Sequence, residues 1–525
     1  MKDRQGVTIG IILGSLLVVC LCVFVLVSGG VFVLQNWVQS TAVVDIYGEP
    51  GGSIVPTPTS QLLEDWQVTD EGDQLAEETL NILANTIVPE NVPADLAVRL
   101  GGVESVPEFL IDTNAPYQVG DRMSFWIFNT DTNVTTKEPA VLRYVTDHAY
   151  FWIGDQVEYR EADLAALAKA FEKDIYPTTR EFFGSEWTPG IDGDPHIYIV
   201  YMPNIGFGTA GYFVSSDSVH PLAHEYSNAH ELFAFNSDNS PLGDENTYGL
   251  LAHEFQHMIH WYRDRNETSW INEGFSEVAT LINGYDPGGF DYYYSLDPDL
   301  QLTDWPNGNE STAPHYGASF LFLTYFLDRM GKEATQALVD HPENGLKGID
   351  AVLSELGAED PLTKAPLETE ALIMDWMLTN YILDEDVLDG RFNYSLYTDA
   401  LRIYETETIS TCKPGFEPRT VRQFGVDYIR ITCPGEYTLR FEGARNVPLL
   451  PVSAHSGEYS FWSNKGDESD MTLTRGFDFT GVEGELSFSY WTWYDIEKDY
   501  DYVYLLASTD GETWDILQPP SGTDE

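Results

Sequence analysis

Residues 253–277 contain the sequence HEFQH and, after a gap of fourteen residues, the sequence NEGFSE. His253 and His257 lie four positions apart, so a helix projects both imidazoles from one face and can bring them to one metal ion. Glu254 follows His253 directly, and its carboxylate can flank the same ion without being a ligand. HEFQH therefore predicts a metal-binding helix.

The second half of this stretch offers a further ligand. Glu273 and Glu277 are again four positions apart, so a second helix can bring two carboxylates to the same place. Two histidines, one carboxylate and an open position form a common catalytic zinc site. The spacing alone leaves open which glutamate binds.

Residues near HEFQH exclude one class of zinc site. Ala-His-Glu occurs three times in the chain, and only the copy that begins at Ala252 has a second histidine four residues after the first. The metzincin pattern needs glycine and histidine where this chain has His260 and Arg263, so that class is excluded. His260 lies roughly 10 Å along a helix axis from His253, so we interpret it as a packing or surface residue.

The sequence from Trp270 to Glu277, WINEGFSE, resembles the W-x-N-E-G-x-S/A-E block of gluzincin metallopeptidases. The resemblance implies that Glu273 is the third zinc ligand. It also implies that Glu277 orients a ligating histidine through its other ring nitrogen. The gap after His257 is shorter here than in the thermolysin and aminopeptidase branches, so Glu277 remains an alternative ligand.

A wider resemblance covers residues 105–385, which are similar to secreted bacterial peptidases of the hyicolysin and immune-inhibitor-A kind. Residues 456–462, 473–478 and 494–502 resemble the β-sandwich module that follows the catalytic domain in immune-inhibitor-A-type peptidases. The two resemblances occur in the expected order. They imply a secreted type of peptidase with an additional β-sandwich module.

The composition limits the classes of partner. The chain has 27 Lys and Arg against 84 Asp and Glu, for a formal net charge of −57. Nucleic acid is not an expected partner, because phosphate binding needs cationic surface. The acidic balance favours solubility, divalent cations or a saline exterior.

An apolar run without charge extends over residues 7–34, after Lys2 and Arg4. It corresponds to about 40 Å of helix, longer than the apolar core of a cleavable signal peptide, and so predicts a transmembrane signal anchor. The positive residues stay inside, which places the rest of the chain outside a cell membrane. Secretion after cleavage at Ala42 is the alternative.

The cysteines agree with an exported protein. Cys412 and Cys433 are the only pair outside the apolar run, and a disulfide between them suits an oxidising compartment.

The expected fold is multidomain: an α+β zincin (thermolysin-like) catalytic domain, then an all-β sandwich (jelly-roll-like) domain, with an N-terminal transmembrane helix. Helices are predicted at 74–85, 161–183, 246–264 and 269–283, and strands within 123–157, at 196–202 and at 231–236. The expected segments are a cytoplasmic tip (1–6), the signal anchor (7–34), a linker or propeptide (35–105), the zinc metallopeptidase domain (106–385), a β-rich connector holding the cysteine pair (386–445) and a sandwich module (446–525) that is abbreviated or truncated.

Two further groups are candidate site residues. His315 and Tyr316 precede an apolar helix, where either can donate a hydrogen bond to an oxyanion; ordinary helix-start residues are the alternative. Five acids of the sandwich module are candidate calcium ligands, because calcium takes oxygen ligands, with plain loop acids as the alternative. These acids are Asp467, Asp470, Glu497, Asp499 and Asp501.

The sequence thus predicts an extracellular zinc metalloendopeptidase that hydrolyses protein or peptide substrates. Zinc held by His253, His257 and Glu273 polarises a water and the scissile carbonyl, and Glu254 acts as the general base. The alternatives are a catalytically inactive cell-surface adhesin and a zinc aminopeptidase. The predicted cofactors are zinc and, in the sandwich module, calcium.

Overall fold

The computed structural model describes residues 70–306, 310–444, 446–497 and 500–519. Within those ranges, none of the helices combines the length and the apolar character that crossing a bilayer requires. The predicted signal anchor at 7–34, and the membrane location that depends on it, lie outside the described residues.

The N-terminal lobe is built on a six-stranded mixed sheet in the order β1-β2-β3-β4-β6-β5. β1 to β3 form an antiparallel meander, β3, β4 and β6 are parallel, and β5 is antiparallel to β6 at one edge. The strands are β1 (Arg122–Asn129), β2 (Val134–Val145), β3 (Ala149–Gly154), β4 (Ile197–Met202), β5 (Gly211–Phe213) and β6 (Leu232–Asn236). This confirms the predicted strand-rich lobe and supplies an edge strand.

Helices lie before, between and after the strands along the chain. α1 (Asp70–Asn85) and α2 (Pro93–Arg99) come first; α3 (Glu161–Ala170) and α4 (Tyr176–Phe183) lie between β3 and β4 and are joined by the π-helical turn Phe171–Ile175. After the sheet come α5 (Glu245–Arg263), α6 (Ser269–Ile282), α7 (Asp291–Leu296), α8 (Ala313–Val339), α9 (Leu346–Glu355) and α10 (Thr369–Ile382). The two helices predicted around HEFQH and NEGFSE are therefore confirmed as α5 and α6, with bounds within a residue of those expected.

The sheet has apolar side chains on both faces because its central strands are covered on both sides. β3 and β4 are buried along their whole length, as expected for parallel strands enclosed by other elements. The larger core lies between the sheet and the helices and includes Phe255 of α5 and Phe275 of α6; the smaller lies on the opposite face around Phe125 and Trp152.

The glycine of NEGFSE allows two helices to approach closely. A Cβ built at Gly274 of α6 would lie 2.7 Å from Leu323 Cδ1 and 3.0 Å from the backbone of Ser319, both on α8. Only a residue without a side chain fits this contact. Because Gly274 follows Glu273 directly, this close contact also restrains the position of Glu273 relative to α8.

Beyond α10 the described residues contain only short strands. β7 (Glu407–Ile409) pairs with β8 (Ile429–Ile431), and β9 (Leu505–Ala507) pairs with β10 (Asp515–Leu517). Cys412 and Cys433 form the predicted disulfide, with their Cα atoms 5.7 Å apart.

The C-terminal segment differs from the expected sandwich. A sandwich buries alternate residues of two facing sheets, whereas Phe461 and Trp491 are 85% and 77% exposed. The all-β sandwich therefore stays a prediction for residues 446–525.

Candidate metal centre

Three ligand atoms converge at one point between α5 and α6. His253 Nε2 and His257 Nε2 are 3.1 Å apart. Glu273 Oε2 lies 3.5 Å from the first nitrogen and 3.4 Å from the second. The i,i+4 spacing on α5 places both imidazoles on one face, and the packing of α6 against α5 brings the carboxylate opposite them.

The oxygens beside the two Nδ1 atoms favour one tautomer of each neutral imidazole. His253 Nδ1 lies 3.3 Å from Glu277 Oε1, and His257 Nδ1 lies 2.9 Å from Asn272 Oδ1. An Nδ1–H that donates to each of these oxygens leaves both Nε2 lone pairs bare. Two bare lone pairs 3.1 Å apart repel each other unless a proton or a metal ion lies between them, so the arrangement fits a metal ion.

Glu273 completes the donor set. Its Oε2 is buried and has no hydrogen-bond partner among the described residues, which is costly for a carboxylate oxygen unless a cation pairs with it. Two imidazole nitrogens and one carboxylate oxygen are zinc ligands of the kind found in catalytic sites. The side chains of His253, His257 and Glu273 remain 13%, 15% and 21% exposed, so one side of the group is open to a water or a substrate.

Electrostatics also favour a cation here. Burial lowers the pKa of His253, but the adjacent carboxylates of Glu273 and Glu277 outweigh it and hold that pKa well above its ordinary value. Burial raises the pKa of Glu273, but the two histidines outweigh it and hold the pKa below its ordinary range. The carboxylates therefore attract positive charge to this point, as a proton or as a metal ion.

Glu254 lies on the same helix but points toward the sheet edge. Its Oε2 accepts a hydrogen bond of 2.7 Å from the backbone N–H of Phe213 in β5. Burial raises the pKa of Glu254, although His253 and His257 oppose the rise. The carboxylate is thus held between the three ligands and the edge strand, separate from the ligand set.

The structure separates the two predicted donors at the start of α8. The ring of Tyr316 lies 6.4 Å from that of His253 and stacks on Phe290 at 5.0 Å. Burial and the carboxylates of Glu273 and Glu277 raise the pKa of Tyr316 well above its ordinary value. Its hydroxyl therefore stays protonated and able to donate.

His315 lies further back. Its ring Nδ1 is 2.8 Å from the carbonyl oxygen of Asp304, and Trp305 packs edge-on against both His315 and Tyr316. This geometry makes His315 a support for the Trp305 loop. Of the two predicted donors, Tyr316 is the one that the fold brings to the ligand group.

Several residues at the site were not singled out from the sequence. Asn272 and Ser276 both contact His257 Nδ1, at 2.9 and 3.0 Å. Their positions in NEGFSE were a usable signal, because Asn272 and Ser276 are four residues apart and therefore lie on one face of α6. The backbone contact from Phe213 carried no sequence signal, since any residue of an edge strand has an N–H.

Among the described residues, not all of the candidate calcium acids lie free beside one another. Asp470 forms an ion pair with Arg99, so it is engaged by a cationic side chain instead of by its predicted neighbours. Asp467 accepts a hydrogen bond of 3.0 Å from Ser269 Oγ at the start of α6. Glu497 and Asp501 are joined through the Glu497 N–H, and Asp499 lies outside the described residues. The calcium site stays a prediction.

Comparison with known proteins gives one match in the C-terminal part of the chain. Residues 447–521 match the family model described as immune inhibitor A-like, MAM domain. The resemblance of this chain to immune-inhibitor-A-type metallopeptidases is confirmed.

A second comparison concerns a whole curated protein. The chain is 23% identical over 257 residues to the neutral metalloprotease ShpI of Staphylococcus hyicus. The alignment covers 44% of this chain and 58% of that relative, so the chain spans a little over half the length of the protein it matches.

Proposed function

We propose that this protein is an extracellular zinc-dependent endopeptidase of the gluzincin type. The main support is the convergence of His253 Nε2, His257 Nε2 and Glu273 Oε2 on one point, with mutual distances of 3.1 to 3.5 Å. The similarity to a neutral metalloprotease supports the same reaction class. The protein is held at the cell surface by residues 7–34 or released after Ala42.

The residues divide the chemistry among them. Zinc, when bound by the three ligands, polarises the scissile carbonyl and makes a water nucleophilic. Glu254, whose raised pKa suits a group that both takes and returns a proton, accepts the proton of that water and passes it to the leaving amine. Tyr316, which stays protonated, donates a hydrogen bond to the oxygen on which negative charge develops.

The edge strand accounts for binding an extended peptide. β5 is paired with β6 on one side only within the sheet, and its last residue, Phe213, contacts Glu254. A substrate strand that pairs with the free side of β5 would pass directly over the general base. Such main-chain pairing needs no free terminus, which favours internal cleavage over the removal of N-terminal residues.

The substitution Glu254→Gln tests the proposal. It keeps the size of the side chain but removes the base, so zinc content should be unchanged while peptide turnover falls by about 10²- to 10⁴-fold. Glu245→Gln, an exposed acid in the first turn of the same helix, is the matched control and should keep full activity.

The assay is digestion of a peptide library by the soluble part of the chain, with and without chelator. Internal cleavage that stops with chelator and with Glu254→Gln supports the proposal. Stepwise loss of N-terminal residues would indicate an aminopeptidase. Absence of any cleavage by zinc-loaded wild-type protein would indicate a binding protein and overturn the proposed activity.

A further inference from the structure

A second group of ligand-type side chains lies where α5 ends. It consists of His260 near the end of α5, Asp264 directly after the helix, and Glu267 in the connection to α6. One ligand atom from each lies within 4.8 Å of the others. The three side chains are buried, at 0%, 5% and 2% exposure, so solvent does not satisfy them.

Each of the three side chains has one buried polar atom without a partner. His260 Nε2, Asp264 Oδ2 and Glu267 Oε2 are all buried without a hydrogen-bond partner among the described residues. The other oxygen of Glu267 is well satisfied, since Oε1 accepts from the Gly345 N–H at 2.8 Å. Three neighbouring side chains that each bury an unpartnered polar atom are rare in a folded protein, because each such atom costs free energy on burial.

The charges around the group are acidic. Burial first, and then Glu90 and Asp340, raise the pKa of Asp264 to about 7. Burial and the nearby Asp264 raise the pKa of Glu267 to about 8. Burial lowers the pKa of His260 to about 3, so its imidazole is neutral. A neutral imidazole between two buried carboxyl groups is a donor set that a divalent cation would stabilise.

We propose that His260, Asp264 and Glu267 bind a second divalent metal ion of the zinc type, separate from the ion of the catalytic group. One nitrogen and two carboxylate oxygens suit zinc or manganese better than calcium, which takes oxygen ligands. The ion joins the end of α5 to the loop before α6. Its site contains none of the catalytic ligands and does not depend on the proposed peptidase activity.

Ligation through His260 Nε2 depends on the orientation of the Gln256 amide. The amide nitrogen lies 3.3 Å from His260 Nδ1, and the amide oxygen accepts a hydrogen bond of 2.6 Å from Ser276 Oγ. Metal binding through Nε2 requires the reverse orientation of this amide, in which Nδ1–H donates to the amide oxygen and the Nε2 lone pair is left for the ion. The Ser276 hydroxyl can then donate to the Asn272 carbonyl at 3.1 Å.

This site explains how a short connection can hold the catalytic ligand. Only five residues separate α5 from α6, and Glu273 must meet His257 across that turn. An ion that ties Asp264 and Glu267 to His260 would fix the turn and therefore the position of α6. The second ion thus acts as a positioning element for Glu273.

Metal content measured by inductively coupled plasma mass spectrometry tests the proposal. The full-length chain is loaded with Zn²⁺ as the only added metal and then dialysed against a weak chelator. We expect about two equivalents in the wild type and about one in Asp264→Asn/Glu267→Gln and in His253→Ala/His257→Ala. Asp217→Asn, which changes a buried acid that belongs to neither group, is the matched control and should keep both ions.

The outcomes separate this proposal from the peptidase proposal. If only the second site binds, His253→Ala/His257→Ala keeps the wild-type content and Asp264→Asn/Glu267→Gln loses it. The proposal is overturned if Asp264→Asn/Glu267→Gln keeps the wild-type content, as expected when the two carboxyl groups hold protons instead of a metal.

Anomalous diffraction at the zinc edge gives a reading that does not depend on variants folding. Wild-type crystals grown with Zn²⁺ should show a peak among the side chains of His260, Asp264 and Glu267. Its absence would also overturn the proposal.

Discussion

Replacing Glu277 by Gln should weaken zinc binding about 10- to 100-fold, because this carboxylate orients His253 instead of binding the ion. Glu277 Oε1 lies 3.3 Å from His253 Nδ1, and its side chain is only 7% exposed. Two full charges at that distance would interact by about 5 kcal/mol at an effective dielectric of about 20. That figure is an upper bound, because His253 is neutral as a ligand, and a 10- to 100-fold loss corresponds to about 1.4 to 2.7 kcal/mol.

The same substitution at Glu273 should be more severe. Glu273 Oε2 faces both Nε2 atoms, so Glu273→Gln removes an anionic ligand and should cost a further ~10-fold or more in zinc affinity than Glu277→Gln. Zinc affinity is measured by competition with a chromogenic chelator, with folding checked by circular dichroism. Glu245→Gln serves as the control and should leave the affinity unchanged.

The comparison of the two variants decides the third ligand. If Glu277→Gln loses more zinc affinity than Glu273→Gln, the assignment of Glu273 as the ligand and Glu277 as its support is reversed. Equal losses would contradict the geometry as well, because the two carboxylates contact different nitrogens of His253.

Three other predictions concern catalysis and stability. Tyr316→Phe should lower kcat about 10²- to 10³-fold without changing zinc content, because it removes only the hydroxyl donor; unchanged kcat would exclude Tyr316 from the reaction. Replacing Cys412 and Cys433 by Ser should lower the unfolding free energy by about 3 kcal/mol in a denaturant titration, since the bond closes a loop with a sequence separation of 21. Burial raises the pKa of Asp217 to about 7, against about 3.9 in the unfolded chain, so the folded state holds the proton more tightly and stability falls as pH rises from about 4 to about 7. Asp217→Asn keeps an acceptor for Asn228 and should flatten this fall when Tm is followed against pH; a slope equal to that of the wild type would contradict the shifted pKa.

Helical periodicity made much of the site predictable. His253 and His257 share a face of α5, and Glu273 and Glu277 share a face of α6, as their spacing of four required. The helix bounds also follow from local signals, since α5 begins after Asp244, whose carboxylate accepts the Asn246 N–H at 3.1 Å. These features depend on neighbours within one or two turns, which a sequence displays directly.

Contacts between distant segments were not predictable in the same way. The backbone of Phe213 reaches Glu254 only because β5 lies at the sheet edge above α5. His315 faces Asp304, although its neighbour Tyr316 faces the ligand group. Both outcomes depend on how separate elements pack, and adjacent positions of one helix point in different directions.

The sequence by itself determined that two histidines and a carboxylate would meet, and its resemblance to gluzincins named Glu273 for that role. Tertiary structure decided the rest: it turned Glu273 toward the two Nε2 atoms and Glu277 toward Nδ1 of His253. It also buried His260, read from the sequence as packing or surface, against Asp264 and Glu267. Spacing specifies the face of a helix on which a side chain lies, but only the packed neighbours specify what that face meets.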